Sequence, residues 1–168
     1  NYVPGYAGTG ITIRHLLSHQ SGIAHYDFCP DGYNGLFDAT EFAASGYVES
    51  LKNADIDFIV LAGFLWKVPE VLVNAFPKAI VNIHPALLPN YGGKGMYGSR
   101  VHEAVIAAGE SKSGITIHWV DANYDEGDII FQAECIISSG DTPEVLAQKI
   151  HALEHQHFAP VIEKLLRG

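Results

Sequence analysis

The chain has 168 residues, of which 48% are hydrophobic and 17% charged, and ten Lys+Arg against nineteen Asp+Glu give a formal net charge of -9 at pH 7. This length suits one domain with a substantial core, and the acidic balance argues against nucleic-acid or anionic-membrane partners, which are bound by basic patches. Because no apolar run approaches the roughly 20 residues that span a bilayer, we expect a cytoplasmic protein.

The middle of the chain alternates predicted strands with short helices. Residues 56–62 form an apolar, β-branched run, typical of a strand covered on both faces. A short helix is predicted over 69–76, where proline suits the first turn, and the strand pattern returns over 79–84. Residues 89–98 contain four glycines and are predicted to be a loop.

The second half adds a helix over 100–108 and two apolar runs, 114–120 and 129–137, whose connecting loop predicts an antiparallel pair. A last helix is predicted to be capped by Asp141 and kinked at Pro160. This order of elements predicts an α/β fold, with a mostly parallel sheet and an antiparallel edge.

Polar residues end the second predicted strand. Asn82 and His84 are two residues apart, so both point to the same side of the sheet at its carboxyl end, where ligands of α/β proteins bind. Asp125, in the loop between the antiparallel strands, is a suitable partner for the histidine, and the Asn82 amide could stabilise an oxyanion. The three residues predict an acyl-transfer site without a protein nucleophile; alternatively His84 is only structural.

Several stretches together resemble the glycinamide ribonucleotide formyltransferase family. They are the segments 61–66, 82–89, 91–98, 114–121 and 125–128, and the similarity extends from about residue 39 to residue 166. The resemblance implies a Rossmann-like sheet and an enzyme of purine biosynthesis. Its activity would be formyl transfer from 10-formyltetrahydrofolate to the amino group of glycinamide ribonucleotide, with small-molecule substrates and no metal.

The resemblance also implies roles for single residues. Asn82 would hold the formyl oxygen, His84 would transfer a proton, and Asp125 would keep the imidazole protonated and positioned. Glu154 would contact the amino-bearing substrate. The residues implied to bind the folate co-substrate are Leu65, Trp66, Lys67, Val68, Asn82, Asp121 and Ala122. Ala122 stands where the family commonly has an acidic residue.

Residues 1–38 depart from this family and are interpreted as a heterologous leader before a core over 39–168. Residues 1–26 instead resemble a fragment of the serine β-lactamase and penicillin-binding esterase family, but the Ser-x-x-Lys and Tyr-x-Asn motifs of that chemistry are absent. The segment 7–10 is the only candidate for the phosphate-binding turn, and it is a weak match. A strand at 10–14, before a helical 15–19, could replace the missing first strands.

Other interpretations remain open. Without a covering strand, the 56–62 run would leave an exposed sheet edge and favour a homo-oligomer. The chain could be a chimeric scaffold that binds folate without turnover, or a formyltetrahydrofolate deformylase. A third relative, methionyl-tRNA formyltransferase, is disfavoured by His118 and the glycine-rich 94–98 segment.

The H-x-x-E-H pattern at 151–155 is that of a zinc peptidase, but a solvated helix face explains it better. Cys29 and Cys135 indicate neither a disulfide framework nor a thiolate zinc site.

Overall fold

The computed structural model describes residues 16–18, 45–53, 55–64 and 67–167 of the chain. Within these ranges the elements are β1 Leu16–Ser18, α1 Ser45–Asn53, β2 Ile59–Ala62, α2 Glu70–Ala75, β3 Ile80–His84, α3 Ser99–Ala107, β4 Lys112–Trp119, β5 Ile129–Ile136 and α4 Pro143–Arg167. The described strands form one mixed sheet in the order β1-β2-β3-β4-β5. β1, β2 and β3 are parallel, and β3–β4 and β4–β5 are antiparallel pairs. The predicted α/β class with an antiparallel edge is confirmed.

Helices cover both faces of the sheet, which is why β2 is apolar along its whole length and β3 is apolar except at Asn82 and His84. One cluster joins Val81 of β3 to the α3 side chain Val101 and the α4 side chain Ile150. A second cluster joins Ile80, the neighbouring β3 residue, to Leu72 of α2. Successive side chains of a strand point to opposite faces, so each apolar residue of β3 has a helix to bury it.

The strand that pairs with the outer side of β2 comes from the N-terminal segment. β1 runs parallel to β2, with Leu17 opposite Leu61. The prediction of helix over 15–19 is therefore wrong at 16–18, and the predicted strand at 10–14 lies outside the described residues. Because β1 supplies hydrogen-bond partners to β2, the N-terminal segment covers the 56–62 edge, and the condition for an exposed edge is not met. A homo-oligomer through a sheet edge stays a prediction.

The long C-terminal helix begins one residue later than its predicted cap implies. Thr142, not Asp141, caps α4: its carbonyl accepts the Leu146 N–H at 2.9 Å, and its hydroxyl accepts the Val145 N–H at 3.4 Å. Asp141 is instead engaged in the preceding turn, where its carboxylate accepts the Ser138 N–H at 2.8 Å. The helix continues through Pro160 to Arg167. No helix in the described part of the chain is long and apolar enough to cross a membrane.

Candidate active site

The antiparallel pairing of β3 with β4 builds the centre of the site. It sets Asn82 opposite His118 and His84 opposite Thr116. The loop after β4 then returns Asp125 to the end of β3, where its Oδ2 lies 3.6 Å from His84 Nδ1. The structure therefore brings the predicted pair together and adds His118 between Asp125 and Asn82.

The His84 ring is held by a backbone carbonyl. Its Nε2 lies 2.8 Å from the Tyr91 carbonyl oxygen, and because a carbonyl can only accept, Nε2 carries the hydrogen. Nδ1 therefore faces Asp125 and bears a proton only in the imidazolium form. Burial lowers the pKa of His84 below its ordinary 6.5 and outweighs the attraction of Asp125, the largest opposing effect. The role of Asp125 in keeping this imidazole protonated stays a prediction.

Asp125 is held from three sides. Its Oδ2 accepts the Gly93 N–H at 2.9 Å, and its Oδ1 lies 3.6 Å from His118 Nε2. Burial by itself would raise the pKa of Asp125, but interactions with His118, His84 and the Gly93 N–H together lower it below its ordinary 3.8. The side chain is consequently a carboxylate at neutral pH. Its backbone φ is +56°, in the left-handed region that L-residues rarely adopt.

His118 is a member of the site that our residue assignments missed. Its Nδ1 lies 2.9 Å from the Trp119 carbonyl, so Nδ1 donates and Nε2 is left as an acceptor in the neutral ring. Asn82 Nδ2 lies 3.2 Å from that Nε2 and donates to it in the neutral ring, whereas a protonated Nε2 would donate to Asp125 Oδ1. The register between β3 and β4 places His118 opposite Asn82, and this register cannot be read from the periodicity of the sequence.

An open cleft lies beside these groups. Its lining combines Asn82, His118 and Asp125 with apolar side chains and part of the glycine-rich loop; the other lining residues are Leu61, Phe64, Lys67, Val68, Gly93, Gly95, Met96, Tyr97, Val120, Asn123 and Tyr124. The buried His84 is not part of this lining. Such a cleft fits a flat, largely apolar ligand oriented by a few polar groups.

The predicted binding residues divide into three sets. Lys67, Val68 and Asn82 line the cleft, whereas Asp121, Ala122 and Glu154 do not. Leu65 and Trp66 lie outside the described residues, as does the candidate phosphate-binding turn at 7–10. Glu154 lies on α4, and burial raises its pKa above the ordinary 4.5 against the opposing charges of His151 and His155. Among the side chains described, no group of three His, Cys, Asp or Glu could hold a metal ion.

The hydroxyl of Thr116 on β4 makes hydrogen bonds to the loop that follows β3 and to β5. Thr116, fully buried, donates to the Ala86 carbonyl at 2.7 Å and accepts the Leu88 N–H and the Gln132 amide, each at 2.9 Å. The Gln132 amide also lies 3.0 Å from the Leu88 carbonyl. The hydroxyl therefore uses its one donor and both acceptor positions to hold the backbone on its way to the glycine-rich loop.

We expect Thr116→Val to destabilise the protein by about 1–3 kcal/mol, because it leaves the buried Leu88 N–H without its acceptor. Urea denaturation would measure the change in the free energy of unfolding. Thr116→Ser is the matched control, since it keeps the hydroxyl and removes only a methyl group. A valine variant as stable as the wild type would show that the hydroxyl network contributes nothing to stability.

Comparison with known proteins agrees with this fold and site. A family model described as "Formyl transferase" matches residues 12–162 of the chain. The chain therefore belongs to the formyl transferase family, as the sequence predicted. The match begins inside the predicted leader, and the resemblance of residues 1–26 to β-lactamases stays a prediction.

The individual proteins to which the chain is similar carry a more specific name than the family model does. The chain is 48% identical over 118 residues to the chloroplastic phosphoribosylglycinamide formyltransferase of Arabidopsis thaliana, covering 70% of this chain and 40% of that protein. It is 38% identical over 119 residues to phosphoribosylglycinamide formyltransferase of Bacillus subtilis, covering 71% and 58%. The crystal structure of phosphoribosylglycinamide formyltransferase from Bacillus halodurans matches with a TM-score of 0.65 at 41% identity, covering 72% of this chain and 60% of that one. The chain thus spans about half the length of the curated relatives that it matches.

Proposed function

We propose that the protein transfers a formyl group from 10-formyltetrahydrofolate to the amino group of glycinamide ribonucleotide, a step of purine biosynthesis. The observation that carries this proposal is the convergence of an amide donor, an imidazole and a carboxylate beside one cleft. His84 Nδ1 lies 3.6 Å from Asp125 Oδ2. His118 Nε2 lies 3.2 Å from Asn82 Nδ2 and 3.6 Å from Asp125 Oδ1, so His118 contacts both groups. Similarity to several phosphoribosylglycinamide formyltransferases supports the choice of substrates.

The cleft supports this choice of co-substrate because its lining combines apolar side chains, which suit a flat ring, with polar groups that can orient it. Lys67, Val68 and Asn82 would hold the co-substrate from the lining. We assign Leu65, Trp66, Asp121 and Ala122 to the same ligand by resemblance. When bound, the co-substrate supplies the one-carbon unit as a formyl group on nitrogen.

Asn82 would stabilise the charge that develops on the formyl oxygen. One of its amide N–H groups is donated to His118 Nε2, which leaves the other for the oxygen. Because the amide is already oriented before substrate binds, little reorganisation accompanies the reaction.

His84 would move the proton. As the new C–N bond forms, the attacking amine loses a proton, and as the old bond breaks, the folate nitrogen gains one. His84 Nδ1, unprotonated in the free protein, accepts the first proton and returns it for the second step. Asp125 stabilises the imidazolium that exists between the two steps.

Glu154 is assigned to the amino-bearing substrate by resemblance alone. We propose small molecules as the partners of this site, with the 39–168 segment as the catalytic core and residues 1–38 as a leader that contributes β1. Location in the cytoplasm stays a prediction, because two plant relatives are named as chloroplastic proteins.

Incubation of the protein with 10-formyltetrahydrofolate, in the presence and absence of glycinamide ribonucleotide, tests the activity. We expect tetrahydrofolate and the formylated nucleotide to appear in equal amounts, and only when the nucleotide is present. Tetrahydrofolate formed without the nucleotide would indicate a deformylase instead. Calorimetric binding of a folate analogue without any turnover would indicate the inactive scaffold.

A further inference from the structure

Three consecutive residues of the glycine-rich loop contact both members of the His84–Asp125 pair. The Tyr91 carbonyl accepts the His84 Nε2–H at 2.8 Å, and the Gly93 N–H is donated to Asp125 Oδ2 at 2.9 Å. Between them, a Cβ on Gly92 would lie 3.1 Å from Asp125 Cβ, so the missing side chain allows this close approach. The distance between the imidazole and the carboxylate therefore depends on the conformation of the 91–93 segment.

That conformation needs support from elsewhere. Tyr91 has a φ of +57°, a backbone geometry that is costly for a residue with a side chain and persists only when its surroundings hold it. The Tyr91 ring packs against the larger core cluster, and its hydroxyl donates to Glu110 Oε1 at 2.7 Å. Glu110 lies in the turn between α3 and β4, and neither side chain belongs to the cleft lining.

We propose that Glu110 is a positioning residue: by accepting the Tyr91 hydroxyl, it holds the 91–93 segment in the geometry that sets the His84–Asp125 distance. The expected effect on turnover rests on the proposed function. The expected effect on the His84–Asp125 distance does not. Because Glu110 lies away from the cleft, its contribution should affect turnover more than substrate binding.

Variants of Tyr91 and Glu110 distinguish an effect on the position of His84 from an electrostatic effect of the Glu110 charge. The titratable groups that interact with His84 are Asp125 from the loop after β4, His118 from β4 and His102 from α3. Tyr91→Phe removes the hydrogen bond but keeps the Glu110 charge. Glu110→Gln removes the charge but keeps a side-chain acceptor, and Glu110→Ala removes both.

The first experiment compares kcat and KM in these variants. We expect kcat to fall about tenfold or more in Tyr91→Phe and Glu110→Ala, with KM changed less than about twofold. The double variant should be no worse than either single one, and Glu110→Gln should remain near wild type. Glu134→Ala is the matched control, because Glu134 also accepts an exposed side-chain hydrogen bond, from Lys112 at 2.8 Å. Wild-type kcat in Tyr91→Phe, or equal losses in Glu110→Gln and Glu110→Ala, would overturn the proposal.

The second experiment needs no turnover. NMR titration of the His84 ring in the ligand-free protein gives the change in its pKa caused by Asp125→Asn, which measures the coupling of the pair. We expect this change to be smaller in the Tyr91→Phe and Glu110→Ala backgrounds than in the wild-type and Glu134→Ala backgrounds. Equal changes in all four would refute the positioning role. An inactive wild-type protein with the expected loss of coupling would refute the proposed function alone.

Discussion

His84→Ala should lower kcat by about 10²–10⁴-fold, the range contributed by a positioned proton-transfer group. The residue is 3% exposed, and its Nδ1 is the basic nitrogen that lies 3.6 Å from Asp125 Oδ2. Steady-state formyl transfer at saturating concentrations of both substrates measures the effect.

Controls distinguish lost chemistry from a lost fold. His84→Gln keeps most of the buried volume and should show a similar loss of kcat with a near wild-type urea midpoint. His155→Ala, an exposed histidine of α4, should retain wild-type turnover. If His84→Ala turned over at the wild-type rate, the assignment of His84 as the proton-transferring residue would be wrong.

Asp125→Asn should lower kcat by about 10²-fold with folding intact, because the amide cannot stabilise the imidazolium that forms during transfer. The pH profile supplies a second, directional test. The neutral imidazole is the active form in the free protein, and its pKa lies below the ordinary 6.5, so kcat/KM of the wild type should be full at pH 7 and fall on the acid side of pH 6.5.

Removing the Asp125 charge removes an influence that raises the pKa of His84, so the acid limb of Asp125→Asn should move to lower pH. Asp128 is an exposed residue of the same loop, so Asp128→Asn should change neither kcat nor the pH at which the acid limb falls. An acid limb that moved to higher pH in Asp125→Asn would show that the carboxylate does not act on His84 as described.

Periodicity and spacing predicted the parts of the site that depend on single elements. Asn82 and His84 share one side of β3 because strand side chains alternate, and this was visible in the residues themselves. His118 was missed because its position depends on the register between two strands that are distant in the chain. Tyr91 and Gly93 act through backbone atoms, which residue types do not reveal. The protonation of His84 depends on burial, a property of the whole packed domain.

The errors in the fold have similar causes. Asp141 and Thr142 are both good capping residues, and the turn that begins at Ser138 decides between them by engaging the Asp141 carboxylate. The strand at 16–18 forms by pairing with β2, so tertiary contact overrides the helical pattern of 15–19.

The buried imidazole of His84 also links the free energy of unfolding to acidity. An unfolded chain takes up a proton on this ring near pH 6.5, whereas the folded chain takes it up only at lower pH, so the native state loses stability as the solution is acidified below that value. Asp125, whose pKa is lowered from 3.8, adds a second loss in more acidic solution. Acid therefore weakens the native state through the same two side chains that we assign to proton transfer.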